Sequence, residues 1–156
     1  MATTDKDDNI YRAARMAAGL TQERWAEMLG VSAEAVRQYE AGKICPVDEI
    51  ARRMAEIACM PVLAYWHLCR KSPLADEVFP QVERMPLPQA TVQLLAAIRA
   101  FANVHREDRL LDIAADGRVD ELEAREFRII LEELSVVVKA ALQLKFAEEA
   151  PREEDM

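Results

Sequence analysis

Residues 21–46, TQERWAEMLGVSAEAVRQYEAGKICP, decide the fold of this chain. The first part places Trp25, Ala26 and Leu29 on one helical face, because positions i, i+1 and i+4 lie on the same side of an α-helix. Gly30 is suited to ending that helix, since glycine adopts a left-handed conformation without a Cβ clash. The pattern predicts a short amphipathic helix that stops at Gly30.

A second short helix is predicted directly after this stop. Ser32 is a favoured N-cap residue, and Val36 with Tyr39 forms an apolar stripe on the helix that follows. So short a connection forces the two helices to cross steeply and requires a small residue where they touch, a position that Ala26 fills. The predicted unit is a helix-turn-helix, whose second helix can enter the DNA major groove.

The same stretch resembles a known family, the Cro/repressor-type helix-turn-helix proteins of phages and bacteria, also called the XRE family. The matching residues are Leu20, Thr21, Gln22, Ala26, Leu29, Gly30, Val31, Ser32, Val36, Tyr39, Glu40, Gly42, Lys43 and Pro46. The resemblance covers residues 9–70 and does not extend to the C-terminal half. It implies a repressor-like domain of five short helices that binds double-stranded DNA.

The expected fold class is all-α, in two parts. Hydrophobic residues make up 51% of the chain and there are only four glycines, which favours a globular helical protein. Four prolines between residues 71 and 88 are incompatible with one continuous helix. Beyond them, apolar residues at alternating spacings of three and four predict a C-terminal helical hairpin or bundle. The predicted divisions are a disordered tail at 1–8, the DNA-binding domain at 9–70, a Pro-rich linker at 71–88, a C-terminal self-association or sensing domain at 89–148 and an acidic tail at 149–156.

The charge distribution bears directly on DNA binding. The formal net charge is −8, whereas a nucleic-acid binder usually carries a basic surface. Residues 1–70 carry nine Lys and Arg and ten Asp and Glu, a net of −1, while residues 72–156 carry ten and eighteen, a net of −8, and Lys71 adds +1. The acidity therefore lies mostly outside the motif. We expect weak non-specific DNA affinity and specific binding that depends strongly on salt.

Several sequence features bound the protein's environment. No window approaches 18 consecutive apolar residues and the polar N-terminus is not a signal peptide, so we expect a cytoplasmic protein with no membrane partner and no cofactor. Cys45, Cys59 and Cys69 lack CxxC spacing and are expected to be reduced and structural. Cys45, beside the DNA-facing end of the motif, is the one to examine for reactivity. His67 and His105 are interpreted as packing or surface residues.

The polar side of the second motif helix, facing away from its apolar stripe, carries the candidate base-reading residues. The resemblance places Ala33, Glu34 and Gln38 at base-reading positions, and Arg37 lies on the same side. Arg can bind guanine O6 and N7, Gln can pair with adenine, and Glu can accept from cytosine N4. Glu34 departs from the more basic or amide-rich helices typical of DNA readers, which lowers the expected affinity.

The remaining candidates are phosphate contacts and one internal ion pair. The resemblance places Gln22 at a phosphate contact, and the Ser32 hydroxyl and Lys43 ammonium suit the same role. It also implies an ion pair between Arg15 and Glu40, where the family usually has one. A bidentate Arg–carboxylate pair would fix the angle of the second motif helix. The alternative is two solvated surface charges.

Residues 112–123, DIAADGRVDELE, partly match the calcium loop of EF-hands. Oxygen ligands would fall at Asp112, Asp116, the Arg118 carbonyl, Asp120 and Glu123, with Gly117 at the sharp turn and Val119 inside. However, Ala114 replaces one ligand, and there is no partner loop. A capped turn between two helices explains the same residues, so we expect a structural loop and no metal.

The sequence favours a sequence-specific transcriptional regulator, acting as a repressor, that binds double-stranded DNA and forms a homodimer through its C-terminal helices. The alternative is a protein-interaction module that keeps the repressor fold but has lost DNA binding, a hypothesis supported by Glu34 and the net charge of −8. A calcium-responsive module is a weaker third hypothesis. The chain has no Walker loop, GxSxG motif, HExxH motif or paired nucleophile, so we do not expect an enzyme.

Overall fold

The computed structural model describes residues 9–149, and every regular element in this range is a helix. The predicted all-α class is therefore confirmed. The chain divides into two compact units: unit 1 ends at Phe79 and unit 2 begins at Pro80. The tail expected at residues 1–8, and all but the first residue of the tail expected at 149–156, lie outside the described residues. Between residues 9 and 149, no helix combines the length and apolarity needed to span a membrane.

Unit 1 contains the five helices expected of a repressor-like domain and one short addition. They are α1 (Ile10–Ala17), α2 (Gln22–Leu29), α3 (Ala33–Glu40), α4 (Asp48–Ile57), α5 (Val62–Lys71) and the single turn α6 (Ala75–Val78). Side-chain caps define where the first three begin. Asn9 accepts from the backbone N–H of Tyr11, Thr21 from that of Arg24, and Ser32 from that of Ala35. Each cap satisfies a backbone donor that the helix itself leaves unpaired.

The α2–α3 connection has the geometry that its sequence predicts. Gly30 has φ +71°, and the N–H of Val31 donates to the carbonyl of Ala26 at 3.0 Å, which closes the end of α2. Trp25 and Val36 are fully buried, and Ala26 is only 3% exposed. Burial of these side chains fixes α3 against α2. The opposite side of α3 is left facing solvent.

The core of unit 1 unites all of its longer helices. α1 packs against α3, α4 and α5, while α4 packs against α5 and more lightly against α2. The fully buried large side chains are Trp25, Leu29, Val36, Met54, Met60, Val62 and Leu63. Burying each such side chain contributes roughly 1.5–3 kcal/mol before entropy is counted. The helix-turn-helix is thus one part of a cooperative five-helix core.

Unit 2 is a long helical hairpin with a third helix packed on it. Its helices are α7 (Leu87–Asn103), α8 (Arg106–Ala114) and α9 (Ala124–Lys145). α7 packs along α9, and α8 contacts both. The hairpin is closed by a short parallel bridge, in which the N–H of Leu87 donates to the Glu148 carbonyl and the N–H of Glu148 donates to the Met85 carbonyl, both at 3.0 Å.

The segment expected to be a linker, residues 71–88, contains regular structure at both ends. α5 extends to Lys71, α6 occupies Ala75–Val78, and α7 begins at Leu87. Proline does not prevent this last start, because Pro88 lies in the first turn of α7, where its missing N–H would have no intrahelical partner. At the other end of unit 2, α9 ends at Lys145, and beyond it Glu148 pairs with the backbone of Met85 and Leu87.

Candidate nucleic-acid interface

α3 presents its polar side to solvent between two well-defined ends. At its start, the Ser32 hydroxyl oxygen accepts from the N–H of Ala35 at 3.1 Å, so its own hydrogen is not used in that bond. At its end, Gly42 has φ +68° and the N–H of Lys43 donates to the Gln38 carbonyl at 3.0 Å. This turn holds the exposed Lys43 beside the last turn of α3.

Glu34 binds both of the longer candidate base-reading side chains. Gln38 Nε2 donates to one carboxylate oxygen at 2.7 Å, and Arg37 Nε donates to the other at 3.1 Å. These hydrogen bonds, that from Gln38 first and that from Arg37 second, hold the pKa of Glu34 below its usual range. The Arg37 guanidinium also lies 4.0 Å from the Glu23 carboxylate. All four side chains are on or near the solvent-facing side of α3.

These contacts are of the kind that DNA can replace. The Glu34 and Arg37 side chains are 64% and 50% exposed, and exposed pairs of this type contribute little to stability because water screens them. While paired, the Arg37 guanidinium neutralises the carboxylate that would otherwise repel a phosphate. The cluster therefore places one cation, one amide and one carboxylate on a single solvent-facing surface, and their hydrogen-bonding atoms can exchange partners at little cost.

Behind this surface, Arg15 and Glu40 form a buried, bidentate ion pair. Arg15 Nε and Nη2 donate to the two carboxylate oxygens of Glu40 at 2.6 and 3.1 Å, and the two side chains are only 11% and 6% exposed. Arg15 Nη1 also donates to the Leu20 carbonyl at 2.7 Å. Burial acts to raise the pKa of Glu40, but the hydrogen bonds from Arg15 and Gln22 outweigh it and leave the pKa lowered.

Gln22, expected to contact a phosphate, is tied into this pair. Its Nε2 donates to Glu40 Oε2 at 2.8 Å, and the residue is half-buried at the start of α2. An amide nitrogen carries two hydrogens, so one remains for a ligand. The Arg15–Glu40–Gln22 cluster therefore joins α1, the N-terminus of α2 and the C-terminus of α3. It sets the orientation of the surface on which the candidate DNA contacts lie.

The family comparison agrees with this geometry. Residues 12–57 match the family model described as helix-turn-helix. This segment is a helix-turn-helix domain of the XRE type. The match extends from α1 to the end of α4 and does not reach unit 2. It supports a DNA-binding domain of the transcription-regulator type, a family of regulatory domains and not of enzymes. The comparison with curated proteins and the comparison with solved structures both gave no match.

Two groups of hydrogen-bonded side chains in the XRE-type domain were not predicted from the sequence. The pairing of Glu34 with Arg37 and Gln38 has the i, i+3 and i, i+4 spacing at which helix side chains meet, so the sequence contained a signal for it. A second polar cluster, around Tyr11, Asp48 and His67, unites residues from three helices and has no comparable local signal. His67 was expected to be a packing or surface residue. It is 2% exposed and hydrogen-bonded through both ring nitrogens.

The candidate calcium loop of unit 2 uses its carboxylates within the turn itself. Asp116 accepts from the N–H of Arg118 at 2.9 Å, and Asp120 Oδ1 accepts from the N–H of Leu122 and Glu123 at 2.8 and 2.9 Å. The Glu123 carboxylate in turn accepts from the N–H of Asp120 at 3.2 Å.

The arrangement is a reciprocal capping box ahead of α9. The fourth candidate ligand, Asp112, pairs with Arg109 at 3.2 Å. Val119, which the calcium-loop pattern would place inside, is 44% exposed, in agreement with the capped turn. Across residues 9–149, no three His, Cys, Asp or Glu side chains converge as metal ligands.

Proposed function

We propose that this protein is a transcriptional regulator that binds a specific DNA operator by placing α3 in the major groove. The observation that carries the proposal is the Glu34–Arg37–Gln38 cluster on the exposed side of α3 in a helix-turn-helix domain. In the major groove, each of these side chains has a base edge that it can bind: guanine for Arg37, adenine for Gln38 and cytosine for Glu34. A protein bound there keeps other proteins off the same DNA, and repression is the direct consequence.

Phosphate contacts at both ends of α3 would set the register. Ser32 at the N-terminus has a free hydroxyl hydrogen and lies beside the positive end of the helix dipole. Lys43 follows the C-terminal turn and is exposed. Gln22 retains one amide hydrogen while it holds Glu40. These contacts position the protein without selecting sequence. With few cations at the interface, binding should be confined to moderate or low salt.

Dimer formation through unit 2 completes the proposal. A single short recognition helix reads few base pairs, and helix-turn-helix proteins commonly double their contacts by binding two half-sites as dimers. Large apolar side chains remain exposed on both long helices of unit 2: Val92, Leu95, Ile98, Ile129, Leu131, Val136 and Val138. Such a concentration of exposed apolar surface on a small helical unit favours an interface over solvent. Binding to two half-sites requires a second copy of this chain, and we propose that this copy covers the exposed apolar surface of unit 2.

One observation favours the alternative, a protein-interaction module. Arg37 lies within 4.0 Å of two glutamates, Glu34 and Glu23, and the whole chain carries a net charge of −8. If those glutamates keep Arg37 paired even when DNA phosphates are near, Arg37 is not available to DNA. In that case α3 would instead present a mixed-charge surface to a protein. The two hypotheses differ in what happens with DNA alone.

Selection from random double-stranded DNA at low salt tests the proposal. The full chain should enrich a short motif, repeated as two half-sites, and the Arg37→Ala variant should lose preference at one base pair of each half-site. The Arg52→Ala variant is the matched control, because Arg52 is an equally exposed arginine paired with glutamates on α4. Absence of any enriched motif with the wild-type chain would reject the regulator in favour of the interaction module.

A further inference from the structure

Four polar side chains of unit 1 are linked in a row, with a buried histidine and a tyrosine between an exposed carboxylate and an exposed thiol. His67 on α5 is 2% exposed, and its Nε2 lies 3.0 Å from Asp48 Oδ1 on α4. Its other ring nitrogen, Nδ1, lies 2.9 Å from the Tyr11 hydroxyl on α1. That hydroxyl is in turn 3.4 Å from the Sγ of Cys45, an exposed residue in the loop between α3 and α4. The same sulfur also lies 4.0 Å from His67 Nδ1, so the Tyr11 hydroxyl is the shorter of two contacts between the thiol and this polar chain.

The direction of the hydrogen bonds follows from the carboxylate. Asp48 accepts only, so Nε2 of His67 carries the hydrogen and Nδ1 is left with a lone pair. The Tyr11 hydroxyl donates to that lone pair, and its own oxygen is then free to accept from the Cys45 thiol. A proton can therefore move from the thiol to Tyr11 while the Tyr11 proton moves to His67. Burial, followed by the contact with Cys45, raises the pKa of Tyr11, so the phenol remains protonated and acts as a relay.

Titratable groups from four parts of unit 1 face the relay. The titratable groups that face it are Tyr11 from α1, Cys45 from the loop, Asp48 from α4, and His67, Arg70 and Lys71 from α5. Lys71 Nζ donates to Asp48 Oδ1 at 2.5 Å, and the same ammonium is within electrostatic range of Cys45. Arg70 and Lys71 therefore place two cations beside the relay, and one of them, Lys71, is paired with the Asp48 carboxylate. Neighbouring cations are what stabilise a thiolate in a protein.

We propose that Cys45 is a modification site, a thiol that the Tyr11–His67–Asp48 chain deprotonates for reaction with hydroperoxides. The sulfur attacks one peroxide oxygen, an S–O bond forms and the O–O bond breaks. The cysteine is oxidised to a sulfenic acid and the peroxide is reduced. The leaving group, hydroxide from hydrogen peroxide or alkoxide from an organic hydroperoxide, takes the thiol's proton back from His67 through Tyr11 and departs as water or an alcohol. Two thiols then restore the cysteine: the first forms a mixed disulfide with Cys45 and releases water, and the second attacks that disulfide and frees the Cys45 thiol, which makes the change reversible.

The position of Cys45 links this chemistry to DNA binding, a step that rests on the proposed function. Cys45 follows Lys43 by two residues, in the loop that leaves the last turn of α3. An added oxygen changes the hydrogen bonding of a loop that lies next to the phosphate contact proposed for Lys43. Oxidation of Cys45 should therefore release the operator.

Cys59 offers an internal control, because it is also exposed and belongs to the same unit. The full chain is treated with hydrogen peroxide, sulfenic acids are trapped with dimedone, and the two cysteines are followed separately by peptide mass spectrometry. Cys45 should react at least about tenfold faster than Cys59. Tyr11→Phe, which removes only the relaying hydroxyl, should bring the Cys45 rate down to that of Cys59 and leave the Cys59 rate unchanged.

Asp48→Asn provides a second variant whose side chain is 67% exposed and tolerates the change without loss of packing. It removes the carboxylate that accepts from His67 Nε2 and should slow Cys45 in the same way. Equal rates for Cys45 and Cys59 in the wild-type chain would overturn the proposal. So would an unchanged Cys45 rate in both Tyr11→Phe and Asp48→Asn.

Operator binding, measured with and without peroxide, distinguishes the role of Cys45 from the proposed function. Peroxide should abolish operator binding by the wild-type chain but not by Cys45→Ser, and reduction should restore it. Peroxide-insensitive binding in the wild-type chain would refute the link between Cys45 and the operator. If the untreated chain binds no DNA, the proposed function fails, while a fast, relay-dependent Cys45 would still establish the modification site.

Discussion

Arg15 and Glu40 connect the first and third helices of the DNA-binding unit through two parallel hydrogen bonds of 2.6 and 3.1 Å. With exposures of 11% and 6%, both side chains are shielded from water. Planar, bidentate pairing fixes orientation as well as distance. Because Glu40 is the last residue of α3 and Gln22 binds the same carboxylate, this pair holds the C-terminal end of α3 against α1 and the start of α2.

Removing Glu40 should be costly, since it leaves a shielded guanidinium without its partner. We expect Glu40→Ala to lower the free energy of unfolding by about 3 kcal/mol, measured by urea denaturation. Glu27→Ala is the matched control, because Glu27 forms an exposed pair with Arg24 and should change stability little. Equal effects of the two substitutions would contradict a structural role for the Arg15–Glu40 pair.

The ionised Glu40 carboxylate should make part of the free energy of unfolding sensitive to acid. Hydrogen bonds from Arg15 and Gln22 keep the pKa of Glu40 in the folded protein below its unfolded value, which is near 4.3. The stabilisation is therefore fully present above about pH 4.3 and is lost as the pH falls through the folded pKa. The difference in unfolding free energy between wild type and Glu40→Gln should shrink in this acid range. A difference that stays constant from pH 7 to pH 3 would show that the ionised carboxylate contributes nothing.

Self-association should depend on the exposed apolar surface of unit 2. Leu95 on α7 is 47% exposed and Val136 on α9 is 58% exposed. Replacing either one by Glu puts a charge at a solvent-accessible position, so the fold of the hairpin should survive. Light scattering should then report a monomer in place of the dimer that we propose for the wild-type chain. Leu122→Glu makes the same change at a side chain that is 91% exposed in the turn before α9, and it should remain dimeric. A monomeric wild-type chain would refute dimerisation outright.

Calcium should leave the protein unchanged. The carboxylates of Asp116, Asp120 and Glu123 already accept backbone hydrogens of their own turn, and Ala114 offers no ligand where a calcium loop needs one. We expect the melting temperature in millimolar calcium to equal that in millimolar magnesium. A saturable rise with calcium alone would show that the loop reorganises into a cation site.

Much of unit 1 follows from local signals in the sequence. Thr21 and Ser32 have the side-chain oxygens that start α2 and α3, and Gly30 has the conformational freedom that ends α2. Each of these signals acts within a few residues, so the sequence alone was enough to place the helices. The Arg15–Glu40 contact was different. Its two residues are 25 positions apart, and only the family resemblance brought them together before the structure did.

Contacts between distant residues without a family precedent were not predictable. Tyr11 and His67 are 56 residues apart and come from different helices, so no periodicity links them. Their pairing depends on how α1 packs against α5, which is a property of the whole core. Residues 71–88 were expected to form a linker, yet α7 begins within this segment at Leu87. The reason is local, because proline is excluded from the interior of a helix but fits its first turn, where Pro88 lies.

The central claim, that α3 reads DNA sequence, is tested most directly by comparing Arg37→Ala with Lys43→Ala on the selected operator and on single-base variants of it. Fluorescence anisotropy over a range of salt concentrations gives both affinity and salt slope. Arg37→Ala should cost roughly 1–3 kcal/mol on the operator and lose discrimination at one base pair. Lys43→Ala should weaken all sequences alike and flatten the salt slope by about one unit. If Arg37→Ala instead weakens every sequence equally, or changes nothing, α3 does not read bases.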